Sequence, residues 1–292
     1  MKNKRLLCFI LLGFVLVIIT QAYIGYRVEK NWQDQICKAV DSGNFRNLNE
    51  LLSEGAKRKF SVDFLSDKGY PPLTENLFAT GCSKMILSLL KYGADPNFKD
   101  KYGDSPLYKS AELSYYYKDH DIPFLFIKYG ADLKKSAYFD KEENLLFPVL
   151  HSAVIHGKDL KLIEYLLQQG ENPNFSWSIQ RDRWTLLCWS CYMRNFDVIR
   201  LLLKYGADPN KPDEEWSQLH LYYIMSSQET TLRQKTDLLE LFFEHGAKVK
   251  LIPVLKNGDN ILKYASKSCS KEIVDLLERN LETKPPAQMI KK

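Results

Sequence analysis

Histidine is scarce in this 292-residue chain, and its five copies show no spacing that would hold a metal ion. Glycine, 14 in all, forms no rich loop of the kind that cradles a phosphate. There is no nucleophile elbow and no spaced pair of carboxylates for acid–base work. Nothing here points to catalysis, a cofactor or a small-molecule substrate, so the chain is read as a non-enzyme. The charge balance is mild, 41 − 36 = +5, with no long block of one sign, which argues against nucleic acid as the partner. Six cysteines, one of them (Cys8) inside an apolar N-terminal run, do not make a disulfide framework. Cys188-Trp-Ser-Cys191 is a CxxC motif, but a thioredoxin-like thiolate needs a helix N-terminus beside a strand, and no such unit surrounds it. The two cysteines read most simply as small core residues, and a thiol oxidoreductase is the least favoured function.

What the chain does have is a recurring phrase. Leu201-Leu-Leu-Lys-Tyr-Gly-Ala-Asp-Pro-Asn210 returns as Leu89-Leu-Lys-Tyr-Gly-Ala-Asp-Pro-Asn97 and as Phe126-Ile-Lys-Tyr-Gly-Ala-Asp132. Looser copies end at Asn174, Lys248 and Lys57. Two apolar residues close the buried face of a helix, and the Gly supplies a left-handed cap. Asp-Pro-Asn then starts a turn that cannot continue the helix. The glycines are Gly55, Gly93, Gly130, Gly170, Gly206 and Gly246, at steps of 38, 37, 40, 36 and 40, the spacing of a solenoid with variable insertions.

Upstream of these glycines lie tetrapeptides that open a shorter helix: Ser105-Pro-Leu-Tyr108, Pro148-Val-Leu-His151, Thr185-Leu-Leu-Cys188, Ser217-Gln-Leu-His220 and Asn260-Ile-Leu-Lys263. The pattern resembles the ankyrin repeat, whose signature is Thr-Pro-Leu-His followed by Leu-Leu-x-x-Gly-Ala-Asp-x-Asn. The resemblance covers residues 32 to 280 in about seven copies, and it implies an all-α ankyrin-repeat solenoid of helix-turn-helix units joined by short hairpin turns. It also implies that His151 and His220 tie adjacent turns through the backbone. No copy carries the full Thr-Pro-Leu-His. Leu107 to Gly130 spans 23 residues and Leu219 to Gly246 spans 27, against 19 from Leu187 to Gly206. The extra residues fall between the two helices of the repeat, at Tyr115–Asp121 and Ser226–Thr236, as surface loops.

The N-terminus carries a second signal. A basic head, Met1-Lys-Asn-Lys-Arg5, precedes a run in which every residue from Leu6 to Ile19 is apolar or Gly, extending to Tyr26. Twenty-one helical residues rise about 30 Å, enough to cross a bilayer. The expectation is a single-pass inner-membrane anchor through residues 6–26, with the repeats on the extracytoplasmic, periplasmic side. The alternative is a signal peptide cleaved near Ala22, leaving a soluble periplasmic protein. The domain reading is therefore 1–28 for the head and membrane or signal segment, 29–34 for a linker with Trp32 at the membrane surface, 35–280 for the array, and 281–292 for a disordered tail.

Ankyrin arrays bind through their turn tips and the exposed side of their first helices. In this sequence those positions are aromatic in the middle of the array. The tips carry Phe175, Trp177, Trp184 and Trp216, with Arg181 and Arg183 between them, and the first helix of the fifth repeat presents Trp189 and Tyr192. Trp, Tyr and Arg dominate protein-interface hot spots. The expected surface is Trp177, Arg181, Arg183, Trp184, Trp189, Tyr192 and Trp216, with Tyr222 and Tyr223 beside it, where packing of a diverged core is the competing explanation. The expected partner is a protein. Exported ankyrin proteins similar to this one include immunity proteins that neutralise a secreted toxin, and an envelope scaffold or stabiliser of a resident enzyme or membrane complex is the alternative.

Overall fold

A computed structural model describes residues 2–114, 116, 120–140, 144–157, 159–179, 182–211, 219–228, 230–250 and 259–281, with side chains from residue 14 onward except at 157, 179, 182 and 219. The tail 282–292, Asp119, Arg181 and Trp216 lie outside those residues. The chain divides into two compact units, Met1–Phe139 and Asp140–Lys292.

The first unit opens with helix α1, Lys2–Asp41, and continues with α2 (Phe45–Arg58), α3 (Pro72–Ala79), α4 (Ser83–Lys91), α5 (Pro106–Leu113) and α6 (Ile122–Lys128), ending in strand β1 (Tyr138–Asp140). These helices pair as hairpins in two layers, α1, α3 and α5 against α2, α4 and α6. The segment 29–34, expected as a linker, is helical, because α1 runs unbroken into the first repeat. Trp32, expected at a membrane surface, is packed in the core of the first repeat. It is 4% exposed, its indole N–H donates to Leu51 O at 2.7 Å, and its ring packs against Phe60 at 5.4 Å. A Cβ on Gly55 would stand 2.3 Å from the Trp32 ring. Gly55 is therefore not a left-handed cap: it sits inside α2 because Trp32 needs the room, and the helix ends at Lys59, φ 61°.

From Phe14 to Ile19, and again at Tyr23, Ile24 and Tyr26, α1 exposes its apolar side chains. Among the described residues no helix is long and apolar enough to cross a membrane. The first eight residues of the expected span, 6–13, have side chains outside those described.

The second unit begins with strand β2 (Leu145–Phe147) and helix α7 (Val149–Ser152), which continues as a π-helical turn over Ala153–Gly157. There follow α8 (Leu160–Gln168), strands β3 (Ser176–Ile179) and β4 (Asp182–Thr185), α9 (Leu186–Tyr192), α10 (Phe196–Lys204), α11 (Leu219–Ser226), α12 (Leu232–Glu244), α13 (Ile261–Ser268) and α14 (Lys271–Arg279). Consecutive helices again pair, and α7 with its π-turn, α9, α11 and α13 stack as one row. The expected all-α class needs amending: short strands β1 and β2 are present, and the tip after α8 is drawn out into the antiparallel β3–β4 hairpin.

The recurring phrase is now explained residue by residue. Leu89, Phe126, Leu166, Leu202 and Phe242 are fully buried, closing the face of each second helix. Gly93, Gly130, Gly170, Gly206 and Gly246 take φ between 86° and 94°, a region closed to most side chains. The Asp or Asn two residues past the first four of these glycines folds the tip on itself. Asp95, Asp132, Asn172 and Asp208 each accept, through Oδ1, the N–H two residues on, at 2.8–2.9 Å.

The terminal Asn then reaches into the next repeat. Asn174 Nδ2 donates to Gly206 O at 3.0 Å while its Oδ1 accepts the Asp208 N–H at 2.7 Å. Asn97 does the same to Gly130 O and Asp132 N–H, and Asn210 to Gly246 O and Lys248 N–H. In the first unit Asp63 supplies half of this clamp, its Oδ1 accepting the Asp95 N–H at 2.8 Å.

Each clamp satisfies one donor and one acceptor of a neighbouring tip, at a net worth of about 1 kcal/mol per hydrogen bond. Asn174→Ala removes both and should lower unfolding stability by about 1–2 kcal/mol in urea titration.

Candidate protein-binding surface

The expected surface residues all fall in the second unit, and the β3–β4 hairpin decides where they go. Its register sets Trp177 directly across from Trp184 and Ser178 across from Arg183. Thr185, the last strand residue, turns the chain into α9 by accepting the Cys188 N–H on its hydroxyl at 3.1 Å. One hairpin therefore delivers Trp184 beside the first turns of α9, which carries Trp189 and Tyr192.

The rings then form a chain of contacts. Trp184 meets Trp189 edge-on with centroids 5.4 Å apart, Tyr192 at 5.6 Å, and the Tyr223 ring in a near-parallel stack at 6.2 Å. Tyr192 lies 5.3 Å from Tyr223, and Tyr222 lies 5.0 Å from Tyr264 on α13. Edge-on and offset pairs of this kind add about 0.5–1.5 kcal/mol beyond their buried area. The row runs across α9, α11 and α13.

Exposure divides the set. Trp177 is 7% exposed, so it is core: its ring stands edge-on to His151 at 4.7 Å and stacks by Phe175 at 6.1 Å. Trp184 and Trp189 are half-buried, and the indole N–H of Trp189 is buried with no hydrogen-bond partner among the described residues. Tyr192 is 51% exposed and Arg183 is exposed. The structure thus brings Trp184, Trp189 and Tyr192 into one neighbourhood, sets Arg183 on the opposite face of the hairpin from Trp184, and removes Trp177 from the accessible face. Tyr222, Tyr223 and Tyr264 belong to the same row; Tyr264 was not singled out in the sequence, although its place on the first helix of the last repeat, matching Tyr222, was a usable signal.

The other chemistry-bearing residues behave as structural groups. The strand-to-helix unit that the sequence did not reveal is present, since β4 runs directly into α9 with Cys188 in its first turn. Cys188 and Cys191 are nevertheless buried free thiols, and burial pushes Cys188 up to about 12 and Cys191 upward as well. A reactive thiol needs the opposite shift. His220 is fully buried and makes the implied backbone tie, from Nε2 to Pro209 O; burial lowers it to about 4, so the ring is neutral. His151 differs. Its Nδ1 is buried without a partner, the ring is packed among Phe147, Phe175 and Trp177, and burial lowers it to about 3. Among the described residues no group of three or more His, Cys, Asp or Glu is placed to hold a metal ion.

One carboxylate was missed in the sequence. Glu171 stands where the other copies have the small Ala, and its Oε2 accepts the Leu150 N–H at 2.7 Å. Pro148, at the start of α7, has no side chain able to cap it, so Glu171 reaches over from the tip to do so. Burial pushes Glu171 up to about 7 from an ordinary 4.5.

The folded chain thus holds this proton more tightly than the unfolded chain does. The resulting stability is fully present below about pH 4.5 and lost as pH rises through about 7. Glu171→Gln keeps an acceptor for Leu150 and removes the titration. Its unfolding stability relative to wild type should therefore improve between pH 5 and pH 8, measured by urea titration at each pH. Trp177→Ala should cost about 3–5 kcal/mol of stability, read from the same titration at fixed pH, because it empties a packed site rather than a surface one.

Residues 125–213 match the sequence model of ankyrin repeats, in three copies. The chain is 25% identical over 227 residues to an ankyrin repeat protein of Acanthamoeba polyphaga mimivirus; the match covers 68% of this chain and 28% of that protein, so the chain spans under a third of this relative. Among solved structures it resembles the ankyrin repeat domain of Bcl-3, a member of the IkappaB protein family, with TM-score 0.58, 18% identity, and coverage of 84% of this chain and 97% of that one. It also resembles the human ASB11 ankyrin repeat domain, with TM-score 0.57, 19% identity, and coverage of 86% and 98%. The fold is that of ankyrin repeats, a class that typically serves protein–protein interaction rather than catalysis.

Proposed function

We propose that this chain is a non-catalytic protein-binding protein that grips its partner through the aromatic row of its second unit, with Trp184, Trp189 and Tyr192 at the centre. The observation that carries this reading is Tyr192. It is 51% exposed yet held between Trp184, Trp189 and Tyr223, so a large ring is kept on the surface by other large rings. Packing alone asks for no such residue at an outward position. Hot spots are built from this set of residue types, because they bury much area at little loss of side-chain freedom.

We further propose that the chain is held in a membrane by residues 6–26, with its repeats on the extracytoplasmic side. The fourteen apolar or Gly residues behind the basic head support this, as does the unpartnered apolar surface of α1 from Phe14 to Tyr26. An anchored, exported binder of this kind fits an immunity protein that caps a secreted toxin. A scaffold for a resident envelope protein is the second outcome that the same experiment distinguishes.

The test is affinity purification from gently crosslinked envelopes, with Tyr192→Ala in parallel. A single stoichiometric partner that kills cells lacking this protein would establish immunity, and a harmless resident protein would establish the scaffold. In either case Tyr192→Ala should weaken the isolated complex by about 2 kcal/mol or more, while the variant stays folded by circular dichroism with unfolding stability lowered by only about 1–2 kcal/mol. Undiminished binding in that variant would return the row to a packing role.

A further inference from the structure

In the first unit, the last turns of α1, the loop at residues 64–68 and the start of α3 enclose a cavity of about 260 Å³. Its floor is Glu75, a carboxylate only 3% exposed. Neither Glu75 oxygen accepts a hydrogen bond of normal geometry; its one cation is Lys68, whose Nζ lies 3.1 Å from Oε1. Lys68 enters from outside, with 57% of its side chain exposed, and its ammonium is shared with Asp41 at 2.6 Å. At the mouth a second lysine, Lys30, is shared between Asp34 and Asp67, each at 3.3 Å. Four carboxylates thus face three lysines around one opening, and the most deeply buried charge is negative.

A buried carboxylate is costly unless it is paired and fully hydrogen-bonded. Glu75 meets this requirement only in part, through a lysine that is largely in solvent and through the Cys37 thiol, a weak neutral donor. The Cys37 thiol beside it cannot supply the missing charge: burial, and then the charge of Glu75, push that thiol upward, so it stays neutral. A metal ion would need several ligands converging on one point, and among the described residues no such group exists. An organic cation has a different need. Its ammonium requires acceptors at the floor, and its methylenes require an apolar wall, which Phe64 provides.

We propose that this cavity is a binding site for a primary alkylammonium group, with Glu75 as its buried counter-charge and the Lys68 ammonium as an internal stand-in for the ligand. The site lies wholly in the first unit and is independent of the aromatic surface. A free diamine and a lysine side chain of a partner carry the same group, and the two are separable by titration.

The experiment is isothermal titration of the full chain in detergent micelles with putrescine, and separately with Nα-acetyl-lysine methylamide. Putrescine should bind, Glu75→Gln should weaken it at least tenfold, and Lys68→Ala should tighten it at least fivefold by removing the internal competitor. Preference for putrescine identifies a free diamine as the ligand class, whereas equal binding of the lysine derivative identifies a partner's side chain. Binding that is unchanged or weaker in Lys68→Ala, or undetectable in both that variant and wild type, overturns the proposal. Should Glu75→Gln fail to fold by circular dichroism, the comparison of Lys68→Ala with wild type decides alone.

Discussion

Everything in this structure depends on one small constraint: a helix hairpin cannot satisfy the backbone of its own tip, and its neighbour does it instead. The Asn at the end of each complete phrase places one acceptor and one donor on the next repeat, as Asn97, Asn174 and Asn210 do. Neither group is satisfied by apolar stacking, since a buried side chain is indifferent to rotation about the stacking direction. The paired hydrogen bonds are not indifferent, and they fix the register between repeats. The third copy carries Lys134 where the Asn would stand, and it is the copy that immediately precedes the boundary between the two compact units.

A diverged repeat survives when another residue takes over the lost interaction. Pro148 removes the capping hydroxyl of the fourth repeat, and Glu171, placed where Ala is usual, restores a partner for Leu150 from the tip of the same repeat. The substitution brings a titration with it, because a carboxylate in that position is desolvated. Gly55 shows the reverse case. The glycine is kept but its purpose has changed, from releasing the backbone to making room for Trp32. Both exchanges act locally, which is the freedom a linear array has and a single closed core lacks.

The fold was legible in the sequence for a physical reason: the cap glycines, the apolar pairs before them and the Asp-Pro-Asn turns act within a few residues of themselves. Their spacing marks every hairpin but the last. What was not legible acts at longer range. Nothing near Trp32 in the sequence says that its ring will lie on Gly55, or that α1 will run through 29–34 without a break. The β3–β4 hairpin was hidden as well, because Phe175-Ser-Trp-Ser and Asp182-Arg-Trp-Thr read as polar tip rather than as strand. The candidate surface was half legible. Residue type singled out Trp184, Trp189 and Tyr192, whose rings meet in the structure, but only the burial of the folded chain shows that Trp177 belongs to the core.

The hairpin register bears on why the row is suited to binding. Free aromatic side chains on a helix surface lose rotamer freedom when a partner arrives, and that loss subtracts from affinity. Here the loss has already been met during folding. Trp177 is fixed in the core, the β-ladder fixes Trp184 opposite it, and Trp184 in turn meets Trp189, Tyr192 and Tyr223. The rings at the surface are therefore held by rings beneath them, in a hierarchy that starts at a residue only 7% exposed. Under the proposed function, a partner docking on this face meets rings that folding has already fixed in place. The same hierarchy separates the roles of the residues: those below set the geometry, and those above supply the contact area.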